Sequence, residues 1–271
     1  MNCQINDVSL YYEEYGEGKP VLCLHGYSVD HGLMTGCLEP IFNNETGYRR
    51  IYFDLPGMGK STSAPWVKNA DAMLTLITEF IRQIIPEESF LIIGESYGAY
   101  LTLGLIRDMA ERIDGAFFIC PVITTQNRTL PEKTLLYQSA DFQKITENVK
   151  PFLAMAVIAT PEIYEKYKTD IMPGLDLADY SFLDSYSNGY GFTFEEELEN
   201  VVFDKPTGIL SGRQDFIVGY HDAYAILPCF PRASYAVLDF CGHNLQIENE
   251  PLLHQHVKDW LWRTELNYTQ N

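Results

Sequence analysis

Gly94-Glu95-Ser96-Tyr97-Gly98 follows the apolar run Ser89-Phe90-Leu91-Ile92-Ile93, and no other segment of the chain offers clearer chemistry. A serine between two glycines at a strand-to-helix junction meets the needs of a nucleophile. The turn is so tight that the positions two before and two after the serine must be nearly free of side chain, and its strain lifts Oγ above the sheet. The following helix aims its N-terminal amides at the charge formed during reaction. A serine hydroxyl also needs a base to take its proton and a carboxylate to orient that base. Among six histidines, His243 has the fitting context, in Phe240-Cys241-Gly242-His243-Asn244 directly after the apolar segment 233–238. The carboxylate is Asp215, where Ile209-Leu210-Ser211-Gly212-Arg213-Gln214-Asp215 reads as a strand running into a loop. Both residues then fall at the carboxyl ends of strands, the edge on which an open α/β sheet builds its sites.

The order Ser96, Asp215, His243 is that of the α/β-hydrolase fold and differs from the chymotrypsin and subtilisin orders. On these residues the chain resembles the α/β-hydrolase superfamily, and three further segments extend the likeness. Val21-Leu22-Cys23-Leu24-His25-Gly26-Tyr27 resembles the family's strand and HG-x loop. That resemblance implies an oxyanion hole made by the backbone N–H groups of Tyr27 and Tyr97. Arg50-Ile51-Tyr52-Phe53-Asp54-Leu55-Pro56-Gly57-Met58-Gly59-Lys60-Ser61 looks like the family's D-x-x-G-x-G-x-S turn, with Met58 where histidine is common. Gly242-His243-Asn244-Leu245-Gln246-Ile247-Glu248 is similar to its histidine loop. The rival place for the acid, after the strand 115–120, ends Cys120-Pro121-Val122 and carries no carboxylate. His25, beside the oxyanion turn, is expected to brace that loop; His31, on the same loop, is within reach of the pocket but is expected rather to face solvent.

The elements that must position these residues alternate between strand and helix. Strands are expected at 8–15, 21–24, 50–54, 90–93, 115–120, 207–210 and 233–238. Helices are expected near 33–42, 72–85, 97–112, 220–227 and 251–262. In the second helix Met73, Leu74, Ile77, Phe80, Ile81 and Ile84 share one face at the 3.6-residue period. Such alternation implies a mostly parallel sheet covered on both faces, and the resemblance implies the α/β-hydrolase version, with eight strands. Residues 1–122 and 207–271 would form this core. The middle, 123–206, does not read as strands; 144–158 and 160–167 have helical spacing, and Phe182, Tyr186, Tyr190, Phe192 and Phe194 crowd its end. Relatives insert a helical cap over the serine here, which would exclude water and select the substrate.

Composition narrows the function classes. The 271 residues are 46% apolar, enough for one sizeable core, and the net charge of −18 disfavours nucleic acid and anionic membranes. The opening Met1-Asn2-Cys3-Gln4-Ile5-Asn6-Asp7 lacks the regions of a signal peptide and no apolar run spans a bilayer, so a cytoplasmic location is expected. Six scattered cysteines without a C-x-x-C pair read as reduced thiols, and without clustered His/Cys spacing neither a metal nor another cofactor is expected. Gly57-Met58-Gly59-Lys60-Ser61-Thr62 imitates the end of a phosphate-binding loop, but Asp54 stands where that loop needs glycine and Pro56 removes an N–H. Asn44-Glu45-Thr46 and Asn127-Arg128-Thr129 fit a glycosylation pattern that has no use without secretion. The expected function is a serine hydrolase acting on a small to medium, largely apolar ester or lactone. C–C bond hydrolysis, aminopeptidase action and perhydrolysis remain open on the same fold, as does a weakly catalytic ligand receptor. The oligomeric state is open.

Overall fold

The computed structural model describes residues 1–43 and 45–268; residue 44, and with it the first glycosylation pattern, lies outside them. Eight strands form one sheet in the order β1-β2-β4-β3-β5-β6-β9-β10. They are β1 Asn2–Ile5, β2 Val8–Tyr15, β3 Lys19–Leu24, β4 Tyr48–Phe53, β5 Phe90–Glu95, β6 Ile113–Ile119, β9 Thr207–Gly212 and β10 Ala233–Leu238. The first two strands run antiparallel to their neighbours and every pairing from β4 to β10 is parallel. The chain enters through a hairpin that the sequence reading did not include: β1 pairs with β2 across Asn6, whose φ of 52° makes the tight turn.

Helices α1 His31–Phe42, α2 Ala70–Ile84 and α3 Tyr97–Met109 connect the first parallel strands, and α10 Glu250–Tyr268 closes the chain. Every residue of β5 and of β9 is buried, as parallel strands covered on both faces must be. The helix starts follow local chemistry. Asn69 caps α2 by accepting from the Ala72 amide at 3.0 Å, and Asp30 caps α1 by accepting from Gly32 at 2.9 Å. In α10, Trp260 packs on Phe117 and donates from Nε1 to the Pro206 carbonyl at 3.0 Å.

Residues 123–206 stand outside this sheet. They hold α4 Lys150–Leu153, α5 Pro161–Lys166, α6 Met172–Leu177, α7 Tyr180–Tyr186 and a two-stranded parallel pair, β7 Tyr137–Gln138 with β8 Ile158–Ala159. The expected helix over 144–158 therefore shrinks to the four residues of α4. Pro151 fits the first turn of a short helix and would break a long one. The backbone beyond it finds partners elsewhere: the Val157 carbonyl accepts from Leu136 N at 2.9 Å, and the Val157 amide donates to Glu248 Oε1 at 2.6 Å. The remaining short helices, α8 His221–Ala225 and α9 Leu245–Glu248, flank β10 in sequence.

Two buried charge networks hold the loops at the carboxyl edge. Glu248 takes amides from both sides of a seam, Val157 on one and Gly242 on the other, each at 2.6 Å. Burial pushes its carboxyl up, and the amides of Gly242, Val157 and Ile158 work against that. The other network corrects the expectation of a solvent-facing His31. The ring is buried between Asp54, whose Oδ1 accepts from Nδ1 at 2.8 Å, and Glu13, 3.3 Å from Nε2. Burial lowers the tendency of His31 to protonate, but the hydrogen bond and charge of Asp54, with Asp30 and Glu13, raise it above its ordinary value.

Two predictions follow from these networks. Glu248→Gln replaces an acceptor by an NH2 group facing an N–H and should cost about 1–3 kcal/mol in urea unfolding; an unchanged midpoint would contradict the brace. For His31, a raised folded pKa means stabilisation that is complete below the unfolded value of about 6.5 and lost as pH rises through the folded one. His31→Asn retains a donor but never the charge, so the stability gap between wild type and variant should be wider at about pH 6 than at about pH 9. A gap independent of pH would show that the ring contributes shape alone.

Candidate functional site

Ser96 sits between the last residue of β5 and the first of α3 with φ 51° and ψ −112°. A non-glycine residue at positive φ is strained, by about 1–3 kcal/mol, and persists only where its surroundings overdetermine it. Here the Ser96 amide donates to the Ile119 carbonyl at 3.0 Å, and the Ser96 carbonyl accepts from Tyr100 at 3.2 Å and from Val122 at 3.1 Å. The flanking glycines answer to close approach. A methyl group on Gly94 would stand 2.7 Å from the Ala99 backbone, and one on Gly98 would fall onto the Leu24 carbonyl oxygen.

The residues expected to assist the serine converge on it. His243 Nε2 lies 2.9 Å from Ser96 Oγ, and His243 Nδ1 lies 2.9 Å from Asp215 Oδ2. Asp215 is fully buried, and its other oxygen accepts from the amides of Ile217 at 2.9 Å and Val218 at 3.0 Å. An ionised carboxylate only accepts, so Nδ1 carries a proton in either charge state of the ring, and it is the neutral ring that presents a lone pair at Nε2 to the serine O–H. Burial disfavours the imidazolium, yet the charge and hydrogen bond of Asp215, reinforced by Glu95, outweigh it and raise His243 to about 9; Arg128 pulls the other way. The three side chains come from the carboxyl ends of β5, β9 and β10, and parallel pairing puts those ends on one edge.

The loop after β3 closes the other side of the serine. In register, Leu24 of β3 faces Gly94 of β5, which carries Gly26 and Tyr27 alongside Ser96. A methyl on Gly26 would come within 3.0 Å of Ser96 Cβ. His25 fixes this loop as expected, its Nε2 accepting from the Leu55 amide at 2.9 Å and its Nδ1 lying 2.7 Å from the Gly26 carbonyl. Among the described residues neither the Tyr27 nor the Tyr97 amide is used in a hydrogen bond to the protein.

Four of the five aromatic residues expected in the middle of the chain divide into two groups. Tyr186 and Tyr190 join Tyr27 and Tyr97: Tyr190 is 4.2 Å from Tyr97 and 5.3 Å from Tyr27 between ring centroids, the Tyr97 and Tyr186 hydroxyls meet, and Tyr27 donates to the Leu183 carbonyl at 2.8 Å. Phe192 and Phe194 instead cover α3, stacked on Tyr100 and under Arg107. A groove of about 1220 Å³ opens between residues 123–127, 187–199 and α8; Tyr190 is in its wall, and Ser96, Asp215 and His243 are not. Ser96 itself is 6% exposed.

Among the described residues, two sets of side chains have the composition of metal sites, Cys120/Asp215/His243 and Asp30/His31/Asp54. In both, N–H donors already occupy the carboxylates: Asp215 as above, Asp54 by His31 and by the Lys60 amide at 2.8 Å, and Asp30 by Gly32. All six cysteines are buried as free thiols.

One member of the site was not singled out from the sequence. Glu95, the residue before the serine, is 2% exposed and places Oε1 3.8 Å from His243 Nε2. Its only signal in the sequence is an ionisable residue ending an otherwise apolar strand.

A family model for the alpha/beta hydrolase fold matches residues 19–160. Among solved structures, an alpha/beta superfamily hydrolase from Oenococcus oeni PSU-1 is 31% identical, covers 98% of this chain and 99% of its own, and superposes with a TM-score of 0.90. Curated relatives include a 2-hydroxy-6-oxononadienedioate/2-hydroxy-6-oxononatrienedioate hydrolase of Pseudomonas putida, 23% identical over 94% of this chain and 92% of its own. A probable proline iminopeptidase of Leptolyngbya boryana is 24% identical over 88% of this chain and 85% of its own. With the family model matching more than half its length, the chain belongs to the alpha/beta hydrolase fold family.

Proposed function

We propose that this protein is a serine hydrolase that cleaves a small to medium, largely apolar carboxylic ester or lactone through an acyl-enzyme. The observation that carries the reading is the continuous row Asp215–His243–Ser96, with 2.9 Å at both links to the imidazole, on an edge where the Tyr27 and Tyr97 amides are unengaged. His243 Nε2 takes the proton of Ser96 as Oγ attacks the carbonyl carbon. The two amides receive the developing oxyanion, and Asp215 holds the imidazolium in place. Collapse expels the alcohol, which leaves with the proton from Nε2. Water, deprotonated by the same nitrogen, then releases the acid and restores the serine.

In this reading residues 1–122 and 207–271 are the catalytic core and 123–206 the cap. On the same reading the cluster of Tyr27, Tyr97 and Tyr190 supplies an aromatic lid, which suits an uncharged acyl chain better than a strongly anionic one. A second reading, C–C bond hydrolysis, is favoured by the Pseudomonas putida relative, whose name describes that substrate class. Amino-terminal peptide cleavage is disfavoured by His25-Gly26-Tyr27-Ser28, where aminopeptidase relatives usually carry a Gly-Gly-Pro-Gly run.

Steady-state assays with p-nitrophenyl acetate, butyrate and octanoate test the ester reading. Wild type should turn over many times, with the chain-length trend reporting the size of the space under the lid. Ser96→Ala should lower kcat by on the order of a million-fold. A single burst without turnover, or a rate that survives in Ser96→Ala, would contradict it and move C–C hydrolysis forward.

A further inference from the structure

The row from Asp215 to Ser96 uses one carboxylate, yet two face the imidazole. Asp215 meets His243 at Nδ1, and Glu95 approaches the other nitrogen, with Oε1 3.8 Å from Nε2. That nitrogen is the one pointing at Ser96 Oγ. Glu95 has little room to leave. It ends β5, where it is paired with Ile119 of β6, and its Oε2 lies so close to Gly26 that a methyl group there would overlap it. Its backbone enters directly into the turn at Ser96, where φ is 51°.

The other ionisable groups around this pair come from every neighbouring element. Asp215 reaches in from the β9 loop, Cys120 from the end of β6, Cys37 from α1 and Tyr190 from above, and each acts on Glu95 or is acted on by it. Arg128, in the loop after β6, is the cation that opposes protonation of His243. Its guanidinium donates to the Thr124 carbonyl at 2.8 Å and the Ile217 carbonyl at 3.3 Å, and it lies 5.9 Å from the Tyr190 ring.

The geometry points to Glu95 as a positioning residue that keeps a proton on His243 Nε2 through neutral pH, so that Ser96 becomes a nucleophile mainly in alkaline solution. The inference rests on the reading of Ser96 and His243 given above. No bond is made or broken in the gate itself: a proton bound at Nε2 is lost to water as pH rises, and only the bare nitrogen can accept the serine proton. Burial lifts Glu95 to about 7, with Asp215 adding and with His243 and the Gly26 amide subtracting. His243, against the effect of burial, stands at about 9 through Asp215 first and Glu95 next. The sign is therefore set. The group that must be neutral to act has its pKa raised, so activity appears as pH climbs through that value. Removing the Glu95 charge lowers the pKa and brings the onset toward neutrality.

The test is the rate at which a fluorophosphonate labels Ser96, measured from about pH 5.5 to about pH 10.5 in wild type, Glu95→Gln and Glu95→Asp. Labelling reports activation of the serine without requiring the natural substrate. Wild type should reach half its maximal rate near pH 9. In Glu95→Gln the midpoint should fall by about one pH unit or more, and Glu95→Asp should recover part of the difference. A wild-type midpoint below about pH 7.5 would overturn the gate even if neither variant folds. So would a Glu95→Gln rate reduced by one factor at every pH, the signature of a structural role alone. Absence of labelling at any pH would instead overturn the nucleophile reading beneath it, and labelling without ester turnover would overturn the ester reading only.

Discussion

The close approach of three backbones at the carboxyl edge is the constraint on which the rest of the structure depends. Strand β3 passes so near the start of α3 that only glycine fits at position 98, and α3 folds back on β5 so tightly that only glycine fits at position 94. Ser96 is caught between them at a positive φ. The cost of that conformation, about 1–3 kcal/mol, is offset by the hydrogen bonds that tie Ser96 to Ile119, Tyr100 and Val122. Parallel pairing then does the remaining work of assembly. It brings the ends of β9 and β10 to the same edge and lets two loops far apart in sequence deliver Asp215 and His243 to one serine.

Charge buried at this edge is matched locally, and the manner of matching differs from place to place. Glu248 is satisfied by backbone amides, while Asp215 takes two amides on one oxygen and the Nδ1 proton of His243 on the other. Asp54 and Glu13 enclose His31, and that network joins β2, the start of α1 and the loop after β4. Glu95 is different, because it approaches the other nitrogen of the His243 imidazole, Nε2, the one that would act as base. The same short distance that stabilises an imidazolium during attack also stabilises it before attack. An arrangement of this kind exchanges activity at neutral pH for support of the charged intermediate.

Much of the fold was legible because its signals are local. Alternating strand and helix patterns, the glycines around Ser96 and the strand ends before Asp215 and His243 can be read within windows of a few residues. The same holds for His25, whose place in the His25-Gly26-Tyr27 turn suggested the bracing hydrogen bonds it makes. What was not legible depends on long-range partners. The helical spacing of 144–158 gave way because Pro151 limits the helix and because Glu248 and Leu136 claim the backbone of Val157. His31 looked like a loop residue until Glu13 of β2 and Asp54 of the loop after β4 closed on it. Among the aromatic residues of the middle segment, no periodicity separates Tyr186 and Tyr190, which reach Tyr27 and Tyr97, from Phe192 and Phe194, which cover α3.

The central claim is that Ser96 becomes acylated with His243 as its base. Rapid quenching of the protein with excess p-nitrophenyl acetate, followed by intact-mass and peptide mass spectrometry, addresses it directly. The account predicts an acetyl group on the peptide containing Ser96, formed in wild type and lost in His243→Ala. An adduct on any other residue, or ester cleavage with no adduct while His243→Ala stays fully active, would contradict it.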